Sequence, residues 1–177
     1  MAKLWDFTNS GRTQIRYNKN TGQPTKPAGG ACFGYSLIWA SKLAEGTNAK
    51  LSTPSIVGAL PLQQKVEQVS GDWDASIDRV VRGYGYNSAL SKRGHITAVL
   101  MHFSMNAGYY IYDIGHHWLG LGNNKNAEWY YFDSNDGLYQ FSNRKDAISF
   151  IVKDLQDNYM SDTGFEINNN SIFKITK

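Results

Sequence analysis

The chain has 177 residues and a formal net charge of +3, room for one domain with a real core. Its lysines and arginines are scattered, which excludes the basic stripe of a nucleic-acid binder, and no stretch is apolar for long enough to span a bilayer. A single cysteine excludes an intramolecular disulfide and requires no oxidising compartment.

In chain order, Met1–Asp6 lacks the apolar core of a signal peptide, so any export is expected to use another route, unless a leader has been removed ahead of it. Trp5 and Phe7, and later Ile15 and Tyr17, alternate as in short extended segments. Asn18 to Gly30 is rich in Asn, Gly, Pro and Thr and reads as loop. The first helix is predicted over 31–45, with Tyr35, Ile38, Trp39 and Leu43 at helical spacing and Gly46 as the stop. A second helix spans 52–70, with a break or kink expected near Leu60 because of Pro61, and a third spans 72–83. Residues 83–87 read as a turn, and a fourth helix covers 94–105.

The pattern then changes. Tyr109–Ile114, His116–Leu121, Glu128–Phe132 and Leu138–Phe141 suit a pleated surface and are separated by Gly- and Asn-rich turns. Ser142 is read as the cap of a last helix reaching Tyr159, and Ile172–Ile175 as a closing strand. Helices first and antiparallel strands afterwards make an α+β layout.

The chemistry centres on Cys32. A Gly-rich coil runs into the apolar helix that this cysteine opens, where the helix dipole favours a reactive thiolate. The competing reading is a small apolar cysteine packed at the start of a core helix. A nucleophilic cysteine needs a base and an orienting group, near in space but not in sequence. His95 opens a helix and His102 lies within one, which suits structural or solvent-facing roles. His116 and His117 open a strand, where adjacent side chains point to opposite faces, so one of the two can face the cysteine. His117 shares its face with Leu119 and Leu121; His116 shares the other with Trp118. Pairing with the strand that ends in Asp133 sets that carboxylate beside the histidines, where it can hold a ring tautomer. His117 is preferred as base, with His116 as the alternative, and Asp136 is a weaker rival to Asp133. Adjacent histidines diverge and a lone cysteine has no usual ligand spacing, so no metal site is expected, and no cofactor signature is present.

Gly-Ala-Cys32-Phe-Gly34-Tyr-Ser36-Leu-Ile-Trp39 resembles the nucleophile motif of YopT-type cysteine peptidases, papain-like enzymes found among bacterial effectors. Gly115-His-His117 and Trp129-Tyr-Tyr-Phe132-Asp133-Ser-Asn135-Asp-Gly137 resemble that family's histidine strand and its Phe-Asp-Pro-Asn-x-Gly segment, with Ser134 where the family has proline. The resemblance covers residues 29–137 and keeps the order Cys, His, Asp. It implies a papain-like fold over 1–177 as a single catalytic domain, its helical part packed on an antiparallel sheet. It also implies Cys32 as nucleophile, His117 (or His116) as base, Asp133 as orienter, the Cys32 N–H as oxyanion donor and Gln23 as a candidate second donor.

The expected function is a protease of bacterial effector or toxin type, delivered into a target cell without a classical signal peptide, or otherwise cytoplasmic. A protein glutamine or asparagine deamidase, or a transglutaminase-like toxin, is the alternative with the same triad, and a non-catalytic binding module or an immunity or adaptor protein stands outside that chemistry. A protein substrate is the expected partner, with a cognate immunity or chaperone protein as a further one.

Overall fold

The computed structural model describes residues 1–7, 31–68, 71–124, 126–162 and 164–177. The elements run β1 (Ala2–Asp6), α1 (Cys32–Ala44), a 3-10 turn (Ala49–Leu51), α2 (Ile56–Glu67), α3 (Trp73–Gly83), β2 (Asn87–Gly94), α4 (Ile96–Met105), β3 (Gly108–Asp113), β4 (Trp118–Asn123), β5 (Trp129–Asp133), β6 (Gly137–Phe141), α5 (Arg144–Asn158) and β7 (Asn170–Thr176). Among the described residues, seven strands form one sheet in the order β1-β6-β5-β4-β3-β7-β2, with every neighbouring pair antiparallel.

Helices cover both faces of the sheet. Ile111, Trp118, Tyr130, Phe132, Leu138, Phe173 and Ile175 point toward α1, α2 and α3. Their strand neighbours Tyr110, Tyr112, Leu119, Leu121, Tyr131, Tyr139 and Ile172 point toward α4 and α5. Because both faces are buried, the central strands read as continuous apolar and aromatic runs rather than as polar–apolar alternation.

Helix α1 is the centre of the first face and is buried almost all round. Its Trp39 stacks on Phe132 with ring centroids 5.6 Å apart and planes at 27°. Gly120 makes this possible: a Cβ there would lie 2.4 Å from the Trp39 ring. On the other side of α1, Gly34 lets α2 approach so closely that a Cβ would lie 1.9 Å from the Ala59 carbonyl oxygen.

Several sequence expectations need correction. Helix α2 runs through Pro61 without ending, because proline removes one N–H while the flanking turns keep theirs. Residues 87–94 form a strand, of which only the two ends carried an expectation, Asn87 as the end of a turn and Gly94 as a helix start. This edge strand is largely exposed and built from Ser, Ala, Lys and Arg, so it carries no alternating signal. Asn143, not Ser142, caps α5, its side chain accepting the Asp146 N–H at 2.8 Å. β7 lies inside the sheet, between β3 and β2. Ile15, Tyr17 and Gln23 lie outside the described residues. No described helix is long and apolar enough to cross a membrane.

Candidate active site

Cys32 is the first residue of α1, where main-chain N–H groups have no acceptor within their own helix. The N-cap, Ala31, offers no side-chain cap. Instead, Gln63 reaches across from α2, and its Oε1 accepts the Phe33 N–H at 2.9 Å. The Gln63 amide in turn donates to Glu67 Oε1 at 3.0 Å. The turn that carries the sulfur is thus tied to a second helix. Cys32 is 4% exposed.

The two histidines sit in the bend before β4 rather than in the strand. Gly115, at φ +101, turns the chain there, and a Cβ on it would lie 2.4 Å from the Gly164 carbonyl oxygen. The bend is closed by the Ile114 N–H donating to the His117 carbonyl at 3.1 Å and by the Gly115 N–H donating to Asp113 Oδ1 at 2.8 Å. Strict strand alternation would put His117 with Leu119 and Leu121, on the face away from α1. Lying ahead of the strand frees it from that rule. His116 diverges toward Asp162, with Nε2 3.3 Å from Oδ2.

His117 Nε2 lies 3.1 Å from Asp133 Oδ1, with the two residues 7% and 2% exposed. Asp133 ends β5, and three donors meet its carboxylate. The Asn135 N–H reaches Oδ1 at 2.8 Å, the Tyr159 hydroxyl reaches Oδ2 at 2.5 Å, and His117 supplies the third. Burial pushes the Asp133 pKa up, but these donors, His117 foremost, outweigh it and hold the carboxyl below its ordinary 3.8. An ionised carboxylate only accepts hydrogen bonds, so Nε2 carries the proton. Nδ1 is then the ring nitrogen left for Cys32, whose side chain hydrogen-bonds His117. Burial alone would lower the His117 pKa; the charge of the Cys32 sulfur and the bond to Asp133 reverse this and raise it to about 10.

Cys32, His117 and Asp133 therefore meet, and His116 stands apart from them. Asp136 faces elsewhere, accepting from Lys3 Nζ at 2.7 Å and from the Tyr139 hydroxyl. His95 caps α4 by accepting the Thr97 N–H at 3.2 Å. Among the described residues, no group of three His, Cys, Asp or Glu side chains is placed to hold a metal ion.

Two residues of the site escaped the sequence reading. Gln63 is one. The other is Tyr159, which stacks on the His117 ring at 4.9 Å between centroids and 12° between planes. A signal for Tyr159 existed, since it continues the Ile151, Leu155 stripe at helical spacing. Gln63 carries none, because its partner lies thirty residues away.

No family model and no curated protein sequence matches the chain. Among solved structures it is similar to the Pseudomonas avirulence protein AvrPphB, with a TM-score of 0.60 and 13% identity over 83% of this chain and 92% of that one. It is also similar to the cysteine protease-like domain of the Photorhabdus asymbiotica toxin PaTox, with a TM-score of 0.51 and 13% identity over 93% of this chain and 52% of that one. A third neighbour is the ubiquitin-specific protease encoded by a murine cytomegalovirus tegument protein, solved with a ubiquitin-based suicide substrate. Its TM-score is 0.51 at 14% identity, covering 98% of this chain and 87% of that one. The α+β architecture, with α1 packed against an antiparallel sheet, is the papain-like cysteine protease fold.

Proposed function

We propose that this chain is a papain-like cysteine hydrolase that cleaves a protein substrate, with Cys32 as nucleophile, His117 as general base and acid, and Asp133 as the group that orients the imidazole. The observation that carries this reading is the buried His117–Asp133 contact of 3.1 Å on a ring that also hydrogen-bonds Cys32.

The chemistry follows from the protons. A thiolate beside a protonated imidazole adds to the substrate carbonyl carbon. The positive end of α1, with the Cys32 N–H, faces the charge that develops on the carbonyl oxygen. His117 Nδ1 gives its proton to the leaving nitrogen as the C–N bond breaks, and a thioester remains. Water then passes a proton to Nδ1 and its oxygen to the acyl carbon, and the sulfur leaves as thiolate. Asp133 stays ionised throughout and keeps the proton on Nε2.

We also propose that 1–177 works as a single catalytic domain, as an effector acting inside a target cell. The avirulence protein and the toxin among the structural neighbours support that setting.

The test is incubation of the chain, and of Cys32→Ala, with target-cell protein extract, followed by mass spectrometry of termini and intact masses. New protein termini that depend on Cys32 are the expected result. A mass gain of about one dalton without cleavage, the amide-to-acid change of the same acyl transfer, would replace protease by deamidase. A Cys32 that resists iodoacetamide in the native protein would overturn the hydrolase reading itself.

A further inference from the structure

We propose that Tyr159 is a positioning residue of this site: its hydroxyl locks the Asp133 carboxylate while its ring covers the His117–Asp133 contact against water. The inference rests on the triad reading above and deepens it.

Tyr159 stands at the C-terminal cap of α5, far in sequence from the other members, and is 5% exposed. Its N–H donates to the Leu155 carbonyl at 3.0 Å, which anchors the residue to the last turn. From there its side chain makes three distinct contacts. The hydroxyl donates to Asp133 Oδ2 at 2.5 Å, opposite the oxygen that His117 uses. The same hydroxyl accepts from Asn135 Nδ2 at 2.9 Å, which fixes the direction of its proton toward the carboxylate. The ring lies nearly parallel to the imidazole at 4.9 Å.

The surroundings explain why such a cover is needed. A polar cavity of 400 Å³ is lined by Asp133, Asn135, Asp136, Asp154, Asn158 and Tyr159. His117 does not line it, whereas Tyr159 lines it and stacks on His117. Three residues of that lining touch His117: Asp133 and Asn135 at Nε2, at 3.1 and 3.4 Å, and Tyr159 over the ring, so the Tyr159 side chain is the part of the partition that lies on the imidazole face. A hydrogen bond screened from water is electrostatically stronger than an exposed one. A flat aromatic face also favours a cation stacked on it, so the protonated imidazole gains from the same contact. The titratable groups that face Tyr159 are Asp133, His117, Asp154, Tyr131 and His116.

Two substitutions separate the roles. Tyr159→Phe keeps the ring and removes the donor; Tyr159→Leu removes both. The spectroscopic probe is the His117 Nε2 proton in NMR, followed in the full chain with a thermal melt as fold control. In the wild type this proton should be observable far downfield and protected from exchange. In Tyr159→Phe it should remain protected, but on acidification it should vanish at a higher pH than in the wild type, because Asp133 has lost a donor that held its pKa down. In Tyr159→Leu its exchange should speed up at least tenfold and Cys32 alkylation by iodoacetamide at pH 7 should slow at least tenfold, with Tyr159→Phe restoring most of the alkylation rate.

Unchanged exchange in a folded Tyr159→Leu, or an unmoved acid midpoint in Tyr159→Phe, overturns the proposal. If Tyr159→Leu does not fold, the Tyr159→Phe midpoint decides alone. Failure of the triad reading looks different: Cys32 in His117→Ala would then alkylate as fast as in the wild type, whatever the Tyr159 variants do.

Discussion

Gln63 accepts the main-chain N–H of Phe33 at 2.9 Å, so the residue next to the sulfur is held by another helix rather than by its own N-cap. The helix N-terminus and the thiol it presents are therefore positioned by tertiary packing. Gln63→Ala leaves that buried N–H without its acceptor, which costs about 1–3 kcal/mol. The thermal midpoint should fall by several degrees, roughly 2–4 °C per kcal/mol at this chain length. Differential scanning calorimetry checks this, and an unshifted midpoint would remove Gln63 from the account.

Gly34 poses a sharper test of the same interface. A Cβ there would sit 1.9 Å from the Ala59 backbone oxygen, so α1 and α2 must separate to admit it. Gly34→Ala should cost at least 1–3 kcal/mol, the range of overpacked cores, despite alanine's better helix propensity. Denaturant unfolding measures the loss; a stabilised variant would show that the helices do not approach so closely.

The raised His117 pKa depends on the sulfur. Burial opposes the shift, and among the groups that raise it the Cys32 charge comes first and the Asp133 bond next. Cys32→Ala should therefore move the His117 titration down from about 10, as read by NMR of the ring carbons. The same midpoint in both proteins would mean that the thiol and the ring do not interact.

Asp133→Asn tests the other side of the ring. The Asp133 pKa is lowered from 3.8, so its ionisation contributes stability that is fully present above pH 3.8 and lost as pH falls through the folded value. The variant should lose that part of the acid limb in a plot of thermal midpoint against pH. Its turnover of any substrate found should drop by roughly 10²-fold or more, because an amide no longer sets the charge and tautomer of the imidazole.

His116 and His117 should behave differently. The His116 side chain is 23% exposed, lies 3.3 Å from Asp162 and packs against Tyr159 and Phe165, so His116→Ala should cost about 0.5–3 kcal/mol, as lost packing. It should leave Cys32 alkylation at the wild-type rate, whereas His117→Ala should slow it markedly. Equal slowing in both variants would contradict the placement of the two rings.

Most of the regular elements were legible along the chain. Periodic apolar residues marked α1, α3, α4 and α5, and dense Tyr, Phe and Ile marked β3, β5 and β7. β2 was not legible, because an exposed edge strand needs only backbone partners, and β7 supplies them through register rather than side-chain pattern. The break expected at Pro61 does not occur, because a proline costs a helix one hydrogen bond while packing against α1 keeps the remainder in place.

For the candidate site, the amino-acid order alone was enough to single out a lone cysteine at a helix start, paired histidines after a glycine and an aspartate at a strand end, since each is a local feature of composition and spacing. Which histidine turns inward was decided by the bend at Gly115, which releases His117 from strand alternation. What surrounds the three, Gln63 on the helix turn and Tyr159 on the imidazole, was decided by packing. Hydrogen bonds and ring contacts between groups distant along the chain exist only after the helices have docked on the two faces of the sheet, and no local pattern encodes them.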